Sequence, residues 1–115
     1  MAKPLLEFKG FLSFLVLHEI SRKSLCGEDL AKKIGRRKGG EPLTPGTIYP
    51  VLKELRGMGL VTYVQFGRKK MYSLTKEGVA ELSRQYGLFS RYFYGLKQYI
   101  RRPRRRLRKR SKRDR

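Results

Sequence analysis

Apolar positions along the chain repeat with different periods in successive blocks, and each block predicts an element. The first runs from Phe8 to Ile20, where Phe8, Phe11, Leu12, Phe14, Leu15, Val16, Leu17 and Ile20 are apolar. It reads as a helix that is apolar on most sides, and such a helix needs cover on more than one face. One short domain does not readily supply both covers, which points to a partner chain. Ser24 and Gly27 open a second helix, in which Leu30, Ala31 and Ile34 share a face while Lys32, Lys33, Arg36 and Arg37 point away. Glu28 and Asp29 in its first turn, with bases in its last, suit the helix dipole. The paired glycines and Pro42 of RKGGEP then predict a loop.

The stretch LTPGTIYPVLKEL, Leu43 to Leu55, begins a clear inward stripe of Ile48, Val51, Leu52, Leu55 and Gly59, yet it holds two prolines. Thr44 followed by Pro45 fits an N-cap with proline at the first helical position. Pro50 would then remove a hydrogen bond inside the helix and bend it. With Thr47 as the cap, Pro50 falls at the third position, where its missing N–H is harmless. The sequence leaves both starts open. Gly57 and Gly59 end this helix. LVTYVQF and MYSLT, joined by GRKK, read as a β-hairpin. Thr75 caps a last helix, whose apolar positions Val79, Leu82, Tyr86, Phe89, Phe93, Leu96 and Ile100 step alternately by three and four. That period predicts a narrow seam for another helix, running on until Pro103. Gly87 and Gly95 interrupt it at about 1 kcal/mol each relative to Ala, so packing must hold this helix together.

Charge moves the question from fold to partner. The 115 residues carry 29 Lys and Arg against 9 Asp and Glu, a formal net charge of +20. Half of that excess lies in residues 101–115, RRPRRRLRKRSKRDR, a tail expected to be disordered when alone. Such a field suits a polyanion, most simply nucleic acid. The apolar run FLSFLVL falls far short of the ~20 residues a membrane span needs. Cys26, the lone cysteine, precludes an internal disulfide and fits a reducing compartment. No catalytic set is visible: His18 sits in the apolar first helix as a core or interface residue, and the acids form no spaced pair. GRRKGGEP lacks the order of a phosphate-binding loop. Neither an enzyme, a metal nor a cofactor is expected, and the expected location is the cytoplasm, at the nucleoid.

The element order is helix, helix, helix, hairpin, helix. It predicts a mainly α, α+β fold: a winged helix-turn-helix over residues 1–75 with a two-stranded wing, a dimerisation helix over 76–102, and a basic tail over 103–115. In a helix-turn-helix the second helix of the pair places its N-terminal residues in the major groove. Gly46 would let the backbone approach, Thr44 and Thr47 would offer hydroxyls, and Tyr49 and Lys53 would reach phosphate or bases from the outer face. Lys32, Lys33, Arg36 and Arg37 would flank the groove as phosphate clamps. Gly67, Arg68, Lys69 and Lys70 are expected at the hairpin tip, over phosphates or the minor groove. Arg104, Arg105 and Arg106 would anchor the tail on DNA. Phe11 and Leu15 with Val79, Leu82, Tyr86, Phe89, Phe93, Leu96 and Ile100 are the expected dimer seam.

LTPGTIYPVLKELRGMGLV, followed by YSLTKEG, resembles the signature of the PadR family of winged-helix transcriptional regulators, which show (S/T)xGTLYPxLxxLxxxGLI and then YxLTxxG. The resemblance spans roughly Leu12 to Leu82. Gly27 with Leu30 is similar to the family's second helix, with Glu28 in place of the usual Tyr. The resemblance implies a homodimer whose C-terminal helix packs on the partner's N-terminal helix, and a repressor. After the wing, one helix and a basic tail stand where larger members have several helices. Three alternatives remain: an architectural nucleoid protein with the same fold, an RNA-binding ribonucleoprotein component, and a small-molecule sensor with Tyr86, Phe89, Tyr92, Phe93 and Tyr99 around an effector between dimer helices.

Overall fold

The computed structural model describes residues 8–100, which form two compact units, the first running through Gln85 and the second beginning at Tyr86. The elements are α1 (Phe8–Arg22), β1 (Leu25–Cys26), α2 (Gly27–Lys38), α3 (Pro45–Gly57), β2 (Val61–Phe66), β3 (Lys69–Leu74) and α4 (Lys76–Tyr92), followed by a 3₁₀ turn at Lys97–Tyr99. The fold is the mainly α, α+β class expected, with one addition. The sheet has three antiparallel strands in the order β1-β3-β2 rather than two, because Leu25 and Cys26 pair with Tyr72 and Met71.

The core of the first unit is built from the stripes the sequence displays. Leu12, Val16, Leu17 and Ile20 of α1 meet Leu30, Ala31 and Ile34 of α2 and Ile48, Leu52 and Leu55 of α3, with Leu25, Val61 and Tyr72 from the sheet. Fully burying each of these aliphatic side chains stabilises the fold by roughly 1.5–3 kcal/mol. Phe14 and Leu15 pack against this core from a half-buried flank of α1, while Phe11 is half-buried. Leu82 is 4% exposed and belongs to the core, so its burial is complete within one chain.

Helix ends follow local chemistry. Gly39 ends α2 at φ 108°, and its N–H and that of Gly40 both donate to the Gly35 carbonyl, a glycine-terminated cap. α3 begins at Pro45 with Thr44 as N-cap, which resolves the two starts the sequence left open. Pro50 therefore lies inside the helix. Thr75 caps α4 as expected: its hydroxyl accepts from the Gly78 N–H at 3.0 Å and donates to the Gly59 carbonyl at 2.6 Å. A Cβ on Gly78 would collide with the Leu60 carbonyl oxygen, so this glycine lets α4 start directly on the turn after α3. α4 stops at Tyr92, well short of Pro103. The chain turns through Gly95 at φ 79°, and Leu96 and Ile100 lie beyond the helix. The heptad spacing persists there, but a Tyr-Phe-Tyr run followed by glycine is a poor helix former.

Candidate nucleic-acid interface

α3 is anchored from behind by Ile48, Leu52 and Leu55, which leaves a front stripe of Gly46, Tyr49, Lys53 and Arg56, all exposed. Thr44 and Thr47 are exposed at its tip, where their hydroxyl oxygens lie 3.1 Å apart in a mutual hydrogen bond. The Thr44 side chain therefore caps no backbone N–H, and the first turn of α3 is held by the Thr44 carbonyl, which accepts from the Thr47 and Ile48 N–H groups. On one side of this tip, Thr44 and Thr47 share an open cleft of about 580 Å³ with Lys38 and the 39–43 turn. Leu43 pins that turn by donating to the Ala31 carbonyl, and Gly35 is glycine because a Cβ would run into the Glu41 backbone.

On the other side Tyr49 leans back over Gly27, the first residue of α2. A Cβ at Gly27 would lie 2.5 Å from the Tyr49 hydroxyl oxygen. Tyr49 is still 45% exposed, so it both packs on the head of α2 and faces out. It does not project simply outward from α3, as helical spacing alone suggests. With Arg68, Lys69, Lys70 and Tyr72 it lines a cavity of about 310 Å³. Burial raises the Tyr72 phenol above its ordinary pKa, and neighbouring Tyr49 adds to the rise.

The hairpin differs in detail from expectation. Phe66 pairs with Lys69, so the turn is Gly67-Arg68 alone, with Gly67 at φ 60° in the first central position. Lys69 and Lys70 belong to β3 rather than to the tip. Lys70 places its ammonium 4.9 Å from the centroid of the Tyr63 ring, and the Arg56 guanidinium lies 5.0 Å from the same centroid. Arg56 thus joins the basic surface between α3 and the hairpin. Its signal was present in the sequence, as the next step of the Tyr49–Lys53 spacing.

The basic face of α2 divides. Lys32 and Arg36 are exposed, and Lys33 is half-buried. Arg37 is committed to Glu19 of α1 in an ion pair of 2.5 Å, with the Glu19 side chain nearly buried and the Arg37 side chain about half exposed. Arg37 is therefore a brace between helices before it is anything else. Beside it, His18 stacks on Phe14, and its pKa is lowered by burial and then by Arg37. In the second unit, Phe89 and Phe93 stack at 5.7 Å, and Tyr86, Tyr92, Phe93, Leu96, Tyr99 and Ile100 are all exposed. Val79 of α4 is exposed as well. Arg104, Arg105 and Arg106 lie outside the described residues. Among the described residues no helix is long and apolar enough to cross a membrane, and no group of three or more His, Cys, Asp or Glu could hold a metal.

A two-helix pair, an exposed N-terminal helix tip and a basic hairpin occur together here, and comparison with known proteins gives the family of the chain. The model of the transcriptional regulator PadR-like family matches residues 16–84, more than half of the chain. The chain belongs to the PadR-like family. That family consists of transcriptional regulators, not enzymes. Among its relatives is the transcriptional activator GvpE of Haloferax mediterranei, 35% identical over 54 residues that cover 47% of this chain and 28% of that protein. GvpE2 of Halobacterium salinarum, also named an activator, is 37% identical over 51 residues, 44% of this chain and 26% of that one. The chain thus spans about a quarter of the length of these curated relatives. A PadR family transcription regulator from Clostridium difficile superposes with a TM-score of 0.65 at 24% identity, covering 78% of this chain and 98% of the other. A PadR-like transcriptional regulator from Bacillus cereus superposes with a TM-score of 0.59 at 26% identity, covering 78% and 94%.

Proposed function

We propose that this PadR-like regulator acts as a homodimer on double-stranded DNA, at the nucleoid in the cytoplasm. The tip of α3, from Thr44 to Thr47, enters the major groove. Tyr49, Lys53 and Arg56 reach the flanking backbone, and Arg68 at the hairpin tip follows phosphates or the minor groove. One observation carries this reading. Thr44, Gly46 and Thr47 at the opening of α3 are exposed while Ile48, Leu52 and Leu55 seal its rear into the core, so the helix offers its end together with one front stripe. Lys32, Lys33 and Arg36 lie along the same helix pair, and the surplus of +20 supports a polyanionic partner.

The dimer reading is supported by exposed aromatic and aliphatic side chains at Tyr86, Phe93, Leu96 and Ile100, a concentration that a monomer rarely leaves uncovered. Phe89, Phe11, Leu15 and Val79 are further candidates for the seam. A dimer would read two half-sites, and its sign of action follows from where they lie relative to a promoter. The GvpE relatives are activators by name, so repression is one outcome of that placement and not a property of the fold.

Selection of bound sites from random duplexes at near-physiological salt tests the proposal. The expected product is a two-fold-symmetric sequence preferred by ~10³ or more over random DNA, bound by a species of twice the chain mass in light scattering. Selection that returns no preference would favour an architectural DNA-coating role. Stronger competition by RNA than by duplex would favour a ribonucleoprotein.

A further inference from the structure

We propose that the cleft at the head of α2 is a site for one phosphate ester, held between the phenols of Tyr49 and Tyr72 and the cations of the hairpin. The first observation is an orphaned group. Tyr72 is 5% exposed and lines the cavity, yet its hydroxyl has no hydrogen-bond partner among the described residues. Its phenol borders the open cleft, where a phenylalanine filling the same strand position would offer no hydrogen-bonding group. The hydroxyl is explained if something enters the cleft and bonds to it.

The second observation is the charge around it. Arg68, Lys69 and Lys70 line the cavity against one carboxylate, Glu28, leaving a surplus of two positive charges. The cavity also opens on Gly27 at the start of α2, where Cys26 supplies no side-chain cap and the first-turn N–H groups give a positive end. Glu28 works against a carboxylate ligand, which brings too little charge to offset it. A phosphate monoester matches the surplus. The volume of about 310 Å³ is well beyond a bare phosphate, so it admits the esterified group as well. Two sources share this chemistry: a free phosphomonoester and a backbone phosphate of DNA. The DNA source rests on the function proposed above, whereas the free ester does not.

Titrating the full chain with phenyl phosphate at constant ionic strength, followed by calorimetry and phosphorus NMR, tests the free source. One molecule per chain should bind saturably. Tyr72→Phe should weaken binding about tenfold, the loss of one hydrogen bond to a charged group, and Tyr49→Phe should do the same. Lys76→Gln, which removes an exposed charge outside the cleft, should leave binding within about twofold. Without ligand, Tyr72→Phe should leave the thermal midpoint no lower than the parent's, so that lost binding cannot be ascribed to unfolding. For the DNA source, single phosphates in the selected duplex are replaced by neutral methylphosphonates. One position should weaken the parent chain and leave Tyr72→Phe unchanged. A response in the free arm alone assigns an effector, in the DNA arm alone a backbone anchor, and in both a ligand that competes with DNA. Each leaves the phosphate site standing. Equal phenyl phosphate binding by the parent and both phenylalanine variants, with no sensitive position in the duplex, overturns it. If selection yields no preferred DNA at all, the phenyl phosphate result still decides.

Discussion

Replacing Gly27 by Ala should separate the interface from the fold. The added Cβ would lie 2.5 Å from the Tyr49 hydroxyl oxygen and 2.6 Å from the ring carbon that bears it, inside the 3.0 Å that real contacts respect. The colliding atoms are the far end of a side chain that is 45% exposed, so the phenol can swing into solvent while the backbone stays put. Gly27 does not use the left-handed region. Alanine there gains some helix propensity, at most about 1 kcal/mol, which offsets the lost packing of the ring. The unfolding free energy should therefore change by no more than about 1 kcal/mol. Binding should respond more. A phenol removed from the cleft forfeits a hydrogen bond to a charged phosphate, about 1.5–3 kcal/mol, or roughly ten- to hundredfold in Kd. Urea unfolding by circular dichroism and anisotropy on a selected duplex measure the two quantities on one variant. Undiminished affinity would show that Tyr49 is idle in binding. Destabilisation by several kcal/mol would show that the Gly27 contact serves the fold, and either result refutes the argument.

Gly78→Ala should behave oppositely: pushing α4 off the Leu60 carbonyl weakens the three hydrogen bonds of Thr75 with Gly59, Leu60 and Gly78, for a net loss of about 1–3 kcal/mol after the gain in helix propensity. Gly57→Ala in α3, with open space around it, should be neutral or stabilising by up to about 1 kcal/mol in the same melts. Arg37→Leu strands the nearly buried Glu19 and should cost about 1–3 kcal/mol, less than a fully buried pair because the arginine is half exposed. His18 has a folded pKa below its unfolded value, so the unfolded chain binds the extra proton first. Stability should be full above the unfolded pKa and fall as pH drops from there through the folded value, and His18→Gln should remove that part of the slope in denaturation midpoints. Deleting residues 103–115 should flatten the dependence of log K on log salt by roughly 5–9 with site preference retained; loss of preference at unchanged salt dependence would contradict a tail that adds affinity alone.

Much of this architecture is legible in the residues, because periodicity records which side of an element is buried. The stripe Ile48, Leu52, Leu55 fixes the inward face of α3, and Thr75 marks the start of α4. What escaped were pairings made across the fold. β1 is two residues long, too short to display a period, and it exists only because Tyr72 and Met71 run beside it. Arg37 looks like any other base on the polar face of α2 until α1 brings Glu19 to it. The C-terminal spacing misled in another way: seven-residue repetition continued past Tyr92, while backbone preference at Tyr94-Gly95 ended the helix. In the candidate interface, the sequence shows the hairpin bases but not that Lys69 and Lys70 lie in β3, and it leaves the start of α3 open between Thr44 and Thr47. The lean of Tyr49 over Gly27 could not be read either, since it depends on how closely two helices approach.

The two prolines of α3 have a mechanical consequence. Pro45 and Pro50 each lock a backbone angle, and Pro50 has no N–H to return to the carbonyl of Gly46. The leading end of the helix is a strut already set in its final shape. Contact then surrenders little motional freedom at that point. The speed of encounter would be governed by diffusion and charge, with no waiting time for a loose arm to organise.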